Sequence, residues 1–351
     1  MHEYILFGAK HTLAVAAVGI ALALSACAGR PSEGVLVPDT RSAEGTSRVN
    51  ILVATTRQRA PADGGMMFNS ARAENVSYAD IAVSIPPDSV RKSGTIQWPT
   101  SLPGNPARDF VTVSANYIDR QELSSAISAT AKATGRKKVL IFVHGFNNKF
   151  DDAVYRFAQI VHDAKAPGIP VLFSWPSRDE INLHAYTYDR ESANYSREAL
   201  AQFLETLAAN PNVKQINVLA HSMGNWVTLE ALRRMAAHTG KIGAKIRNVM
   251  LVAPDVDVDV FRTEMAGMGA ARPRFALFLS QDDQALQLSK TIWGGVSRLG
   301  EIDPTQEPYK SELARENIEV FDLSKLNGNA HDRAFDDITT VMTMIKDRIT
   351  E

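Results

Sequence analysis

The stretch that decides the fold is INVLAHSMGNWVTLEAL, which runs from Ile216 to Leu232. Its first five residues suit a buried strand, and the residues after Gly224 have the apolar spacing of an amphipathic helix. Between them, AHSMG fits the strand–turn–helix context of a nucleophile elbow, where small residues two before and two after the serine avoid a clash. The stretch therefore predicts Ser222 as a nucleophile. The alternative is a serine that only caps the helix.

A second strand end predicts an oxyanion hole. The apolar run VLIFV, at 139–143, leads into the loop HGFNN. Such a hole needs two backbone N–H groups that point at one position. The amide of Met223, directly after the candidate nucleophile, supplies one of them, and the amide of Phe146 supplies the other. His144 is interpreted as a brace for this loop rather than as the catalytic base.

An acid and a base are expected after the serine, in the order Ser, Asp, His. Asp283 follows the apolar run FALFL and opens a helical stretch, and His331 follows the last apolar run. His331 is therefore the predicted general base, and Asp283 is the preferred acid. Asp282, its neighbour, and Asp255, just past the run VMLVAP, stay open as alternative acids.

Runs of apolar residues predict the rest of the sheet. Six runs are almost entirely apolar, which indicates strands that are buried on both faces of a parallel sheet. Three earlier runs predict strands separated by Gly- and Pro-rich loops. Asp119 and Gly135 predict the two ends of a helix over 120–134. We therefore predict an α/β fold with a mostly parallel central sheet and helices on both faces, in one domain over 49–351. The six runs are Val139–Val143, Val171–Phe173, Ile216–Ala220, Val249–Ala253, Phe275–Leu279 and Ile318–Phe321, and the earlier ones are Val49–Ala54, Ile81–Ile85 and Phe110–Val113.

Charge, cysteine content and motifs exclude several classes of function. The 351 residues include 38 Lys and Arg against 39 Asp and Glu, so the chain has no global electrostatic reason to bind nucleic acid. The single cysteine, Cys27, excludes an internal disulfide and a Cys-rich zinc site. The sequence has no HExxH, Walker or dinucleotide motif. The run Asp255–Asp259 lacks the glycine and glutamate of an EF-hand. No cofactor or metal is expected.

The first 26 residues are predicted to be a secretory signal. Thr12–Leu24 is an uncharged run of 13 residues, shorter than the roughly 20 that cross a bilayer and typical of a signal peptide. It leads into LSAC, which resembles the lipobox of bacterial lipoproteins, so Cys27 is the predicted lipidation site. Residues 27–48 are predicted to form a lipidated flexible tether. Ala28 in place of aspartate favours the outer membrane, facing the periplasm of a cell envelope.

Four segments together resemble a known family. They are VLIFVHGFNNKFDDAVYR (139–156), VLFSWPSR (171–178), INVLAHSMGNWVTLEAL (216–232) and FLSQDDQAL (278–286). The chain resembles bacterial alpha/beta hydrolases of the esterase and lipase superfamily whose substrates are undefined. The resemblance covers most of 49–349 and implies the alpha/beta hydrolase fold with a triad of Ser222, Asp283 and His331. Ala220 departs from the GxSxG pattern, as happens in many such hydrolases.

The expected activity is cleavage of an acyl bond, foremost a carboxylic ester, in a small-molecule or lipid substrate. Peptidases, thioesterases and acyltransferases use the same triad, so they stay as alternatives. The rival hypothesis is a catalytically inactive hydrolase-fold lipoprotein that binds a lipid or an envelope partner. Trp175, Tyr186 and Tyr188 are candidate walls of the substrate site.

Overall fold

Nine strands form one sheet in the part of the chain that the structure describes. The structure is a computed structural model, and it describes residues 31, 33–61, 65–337, 340 and 341. The sheet order is β3-β2-β1-β5-β4-β6-β7-β8-β9. The strands are β1 (Ser47–Arg59), β2 (Phe68–Ile85), β3 (Val111–Ile118), β4 (Lys138–Val143), β5 (Ile169–Ser174), β6 (Gln215–His221), β7 (Ile246–Val252), β8 (Arg274–Leu279) and β9 (Glu319–Asp322).

The predicted mostly parallel sheet is confirmed. From β1 onward, β5, β4, β6, β7, β8 and β9 pair in parallel. Only β2 runs against its neighbours, pairing antiparallel with both β1 and β3. All seven residues of β6 are buried, as expected for a strand covered on both faces.

Helices cover both faces of this sheet, as predicted. One apolar cluster joins the sheet to α1, α3, α4 and α5, and a second joins the opposite face to α2 and the segment around Phe335. The helices are α1 (Arg120–Thr134), α2 (Phe150–Asp163), α3 (Leu183–Ala209), α4 (Gly224–Thr239), α5 (Val258–Met268), α6 (Gln284–Ile292), α7 (Tyr309–Arg315) and α8 (Arg333–Asp336).

Local capping explains why α1 has the predicted bounds. The Asp119 side chain accepts a hydrogen bond from the Glu122 backbone N–H at 2.8 Å, and the Glu122 carboxylate accepts one from the Asp119 N–H at 2.7 Å. At the other end, Gly135 adopts φ 71°, a left-handed conformation that suits glycine. Short-range side-chain chemistry therefore fixes both ends of this helix.

The first strands are longer than predicted. β1 and β2 extend as a hairpin past the apolar runs, with register shifts near Arg57 and Arg59. The extra residues include many polar ones that are only partly buried. Backbone hydrogen bonds within the hairpin stabilise these residues as strand. Such pairing does not require apolar side chains, so an apolar run does not mark it in the sequence.

The packed domain also begins earlier than Val49. Val35 and Leu36 are each 4% exposed. The Val35 carbonyl accepts hydrogen bonds from the Thr112 hydroxyl at 3.0 Å and the Tyr155 hydroxyl at 3.2 Å. The expectation of a free tether up to residue 48 is therefore wrong for this part, which packs against the domain.

The predicted signal segment and Cys27 lie outside the described residues. Among the residues that are described, no helix combines the length and the apolarity that crossing a bilayer requires.

Candidate active site

Ser222 occupies a sharp turn between β6 and α4. Its φ of 50° lies in the left-handed region, where a non-glycine residue is strained. The turn is tightly packed: a side chain at Gly145 would lie 2.8 Å from the Ser222 Cβ, and one at Gly224 would strike the His144 and Val143 carbonyls. The strand–turn–helix geometry predicted for the elbow is therefore present.

Asp283 and His331 are paired. His331 Nδ1 lies 2.7 Å from Asp283 Oδ2, and the Asp283 side chain is fully buried. The other oxygen, Oδ1, accepts hydrogen bonds from the backbone N–H groups of Ala285 and Leu286 and so caps α6. These fixed donors hold the carboxylate in place, and Oδ2 orients the imidazole with Nε2 left to exchange a proton.

The Asp283 carboxylate also changes the proton affinity of His331. Burial alone would lower the pKa of this histidine. The hydrogen bond and the charge of Asp283 outweigh burial and raise the pKa of His331 to about 9. The imidazole is therefore held largely protonated at neutral pH.

His331 and the elbow are neighbours. His221, the residue before Ser222, has its Nε2 3.1 Å from the His331 carbonyl, and the two rings lie 4.9 Å apart. Among the described residues, Ser222 Oγ makes no hydrogen bond to His331. Nucleophile–base contacts of this kind often tighten only when substrate binds.

The two alternative acids have other partners. Asp282 forms a two-pronged pair with Arg333, at 2.9 and 2.8 Å, which ties the His331 segment to the end of β8. Asp255 accepts hydrogen bonds from the Tyr186 hydroxyl at 2.5 Å and the Ser289 hydroxyl at 2.6 Å. Neither carboxylate is hydrogen-bonded to His331 in the described part of the chain.

Two backbone amides are available where the oxyanion hole is predicted. Within the described residues, the N–H groups of Phe146 and Met223 have no protein acceptor. Met223 also stands at the N-terminus of α4, where the helix dipole favours negative charge. The Asn148 side chain donates to the Phe146 carbonyl at 2.8 Å and helps to hold the loop.

His144 acts as the predicted brace. Its Nε2 accepts a hydrogen bond from the Trp175 N–H at 3.2 Å, so its Nδ1 carries the proton that is donated to the Gly145 carbonyl at 2.9 Å. Burial lowers the pKa of His144 to about 3. Trp175 is fully buried and stacks on this ring, so it supports the loop instead of lining the substrate site as proposed from the sequence.

Comparison with known proteins decides the family. The model of a family described as alpha/beta hydrolase of unknown function (DUF900) matches residues 119–348. The chain belongs to this family of alpha/beta hydrolases. The fold predicted from the sequence is confirmed, and the match supports hydrolase activity. No curated protein matches the hydrolase.

Solved structures similar to the hydrolase include two esterase-like proteins. A lipase-esterase related protein from Clostridium acetobutylicum is 14% identical, with coverage of 60% of this chain and 94% of that chain and a TM-score of 0.35. Est1E from Butyrivibrio proteoclasticus is 10% identical, with 78% and 96% coverage and a TM-score of 0.38. At such low identities and TM-scores, these likenesses carry no information on the substrate of the hydrolase.

The sequence did not reveal a buried polar network behind the oxyanion loop. Arg57 is 1% exposed and donates to the Ser174 hydroxyl at 2.9 Å and to the carbonyls of Asn148 and Ser177. Burial lowers the pKa of Arg57 to about 10, and burial raises that of Asp189 to about 6. In the sequence, Arg57 lies three residues past the predicted strand Val49–Ala54, in a stretch for which no strand or helix is predicted.

Tyr186 lies beside the candidate oxyanion loop, and its role as a wall of the substrate site stays a prediction. Its ring is 5.2 Å from that of Phe146 and 5.8 Å from that of Trp293. Tyr188 lies farther along α3, where Arg178 stacks on its ring. Two carboxylates of the run Asp255–Asp259 have protein partners: Asp257 caps α5 by accepting hydrogen bonds from two backbone N–H groups, and Asp259 pairs with Arg262.

We expect His221 to position the base of the hydrolase. Burial lowers the pKa of His221 to about 4, so the ring is neutral and donates from Nε2 to the His331 carbonyl. Replacing it by phenylalanine would leave that carbonyl without its donor and lower kcat by about 3- to 10-fold. His221→Gln, which keeps a donor at a similar reach, should recover part of the loss.

The pH profile separates this role from a general structural one. Because His221 is neutral above pH 5, neither variant should change the pH range over which kcat/KM rises. A shifted limb, or an equal loss in both variants, would contradict the positioning role.

Proposed function

We propose that this protein is a serine hydrolase that cleaves carboxylic esters with Ser222 as nucleophile, His331 as general base and Asp283 as the orienting acid. The observation that carries the proposal is the 2.7 Å contact between His331 Nδ1 and a fully buried Asp283 carboxylate, next to a strained serine elbow. A domain that only bound a ligand would have no need of a buried carboxylate oriented on this histidine.

In the acylation step, His331 acts first as a base and then as an acid. His331 Nε2, in its neutral form, takes the Ser222 hydroxyl proton while Oγ attacks the acyl carbon. The imidazolium is stabilised by Asp283 and then gives the proton to the departing alkoxide. In the second half, the same histidine takes a proton from a water molecule, which attacks the acyl carbon. The imidazolium then returns this proton to Ser222 Oγ as the bond between Oγ and the acyl carbon breaks, and the carboxylic acid leaves.

The two free amides stabilise the charge that develops. As the carbonyl becomes tetrahedral, its oxygen would accept hydrogen bonds from the Phe146 and Met223 N–H groups. One donor of this kind contributes about 10²- to 10³-fold to turnover. The His144 and Arg57 networks hold the loop so that little reorganisation is needed.

A fluorophosphonate probe tests the proposal. The wild-type protein should be labelled stoichiometrically, and peptide mapping should place the adduct on Ser222. A panel of aryl esters of increasing acyl length, with matching thioesters and amides, then ranks the bond types. If no substrate turns over and no label is taken up, the hypothesis of a catalytically inactive lipoprotein that binds a lipid or an envelope partner replaces the enzyme hypothesis.

The activity is expected to rise toward alkaline pH. Only neutral His331 can accept the serine proton, and its pKa is raised from 6.5 to about 9. The kcat/KM for a neutral ester should therefore increase as the pH rises through about 9. The stability of the fold should change in the opposite direction. The His331–Asp283 pair contributes fully to the free energy of unfolding below pH 6.5, and this contribution is lost as the pH rises through 9. A rise in kcat/KM centred near pH 6.5 would contradict the strong effect of Asp283 on the pKa of His331.

A lipid anchor on Cys27 is the second part of the proposal. The support is the sequence LSAC after a 13-residue apolar run. Acyl chains contribute about 0.8 kcal/mol per buried CH₂, so more than one chain holds a domain on a membrane. The wild type should fractionate with envelope membranes, outer membrane foremost, and Cys27→Ser should stay unprocessed or be released. Unchanged fractionation and processing of that variant would rule the anchor out.

A further inference from the structure

The N-terminal ends of four neighbouring strands carry positive charge. Lys138 is the first residue of β4, Lys214 directly precedes β6, Arg247 is the second residue of β7, and Arg274 opens β8. These strands are adjacent in the sheet, and neighbouring strands lie about 4.8 Å apart. The register places Lys138 opposite Gln215, the residue after Lys214. Sheet pairing therefore aligns a row of cations along the edge opposite the candidate active site.

A cavity of about 1160 Å³ opens at this edge. The turns between elements add Arg136, Lys137, Lys241 and Arg272, so that eight Lys and Arg residues line it. Of the described residues, no Asp or Glu lines it. Since the whole chain has 38 basic and 39 acidic residues, its overall composition does not account for this segregation of charge.

The eight cations share the lining of one cavity. Like charges at short range repel one another and destabilise the compact state. Lys245, beside the cavity, shows this crowding, because burial and the nearby charge of Lys214 both lower its pKa. Arg272 is paired with Glu316 at 2.6 Å from outside the lining. An anion bound in the cavity would relieve the repulsion among the cations that line it.

We propose that this cavity binds a compact polyanion with two or more phosphate groups. Arginine binds phosphate oxygens in two-pronged fashion and lysine binds them as a point charge, so a mixed lining suits this chemistry. Four strands span only about 15 Å, which fits a small ligand or a lipid headgroup better than an extended nucleic acid.

The basic cavity lies apart from the candidate active site. β6 runs for seven residues from this edge to His221, a length of roughly 20 Å at about 3.3 Å per residue. A ligand in the cavity therefore does not occupy the ester site, and its binding is independent of the proposed activity.

Tripolyphosphate is the probe for this site. Isothermal titration of the full-length Cys27→Ser chain at low salt should give saturable binding with one site per chain. A triple variant, Lys137→Ser, Lys214→Ser and Arg247→Ser, should bind at least about tenfold more weakly, because three charges at short range are removed. Its thermal midpoint should equal or exceed that of the parent, since repulsion is reduced.

A matched variant controls for net charge. It removes three exposed lysines elsewhere, Lys92, Lys310 and Lys325, and should bind tripolyphosphate within about twofold of the parent. Absence of saturable binding by the parent, or an equal loss in both triple variants, would overturn the proposal.

Vesicles and DNA distinguish the source of the anion. Co-sedimentation with vesicles that contain a diphosphorylated lipid, lost in the cavity variant, would support a lipid headgroup. Tripolyphosphate binding without vesicle binding would support a soluble ligand. Tighter binding to a DNA duplex than to tripolyphosphate would overturn the compact-ligand proposal. None of these results depends on turnover, so failure here and failure of the hydrolase proposal are distinguishable.

Discussion

Ser222→Ala is expected to lower kcat for short-chain aryl esters by about 10⁴- to 10⁶-fold. The variant removes the oxygen that we propose forms the acyl bond, while the amides of Phe146 and Met223 stay in place. Some hydrolysis above the uncatalysed rate should therefore persist. Initial rates and fluorophosphonate labelling measure the two losses, and labelling should disappear altogether.

Ser280→Ala provides the matched control for this change. Ser280 is also a buried serine at the C-terminal end of a parallel strand, following β8, and it is 2% exposed. It does not stand on an elbow, so its variant should be labelled and should turn over esters as the wild type does. Both variants should unfold within a few degrees of the wild type. Labelling that survives in Ser222→Ala would show that another residue is the nucleophile.

Asp283→Asn is expected to lower kcat by about 10⁴-fold. Asp283 Oδ2 accepts a hydrogen bond from His331 Nδ1–H, and an amide in its place would offer either a clashing donor or a weaker acceptor. The imidazole of His331 would no longer be held in the tautomer with its proton on Nδ1, and it would lose the neighbouring negative charge that raises its pKa. The rising limb of the pH profile should therefore move from about 9 to lower pH.

The two other carboxylates serve as controls for Asp283. Asp282 is paired with Arg333 but its side chain is 54% exposed, so Asp282→Asn should cost about threefold or less. Asp255→Asn keeps an acceptor for Tyr186 and should lower the pH of the limb by less than Asp283→Asn does, because the charge of Asp255 raises the pKa of His331 less than Asp283 does. A loss in Asp255→Asn as large as in Asp283→Asn would make Asp255 the acid.

Short-range patterns predicted the architecture of the domain. Buried parallel strands appear as continuous apolar runs, and the capping residues Asp119 and Gly135 mark a helix because their interactions are local. The hairpin of β1 and β2 and the packing of Val35 escaped prediction. Their stability comes from backbone pairing and from contacts with distant residues, such as the 3.0 Å bond from Thr112.

The sequence by itself determined which side chains could form a triad, because strand ends place Ser222, Asp283 and His331 on one edge of a parallel sheet. It left three carboxylates open for the acid. Only the tertiary structure distinguishes the three by their partners. Asp283 reaches His331, Asp282 is paired with Arg333, and Asp255 accepts hydrogen bonds from Tyr186 and Ser289. The physical reason is that the ends of strands are marked by local apolar runs in the sequence. The partner of a carboxylate, in contrast, depends on the position that a loop dozens of residues away adopts in the folded domain. The same holds for the basic cavity, whose cations are scattered along the chain and meet only when the strands pair.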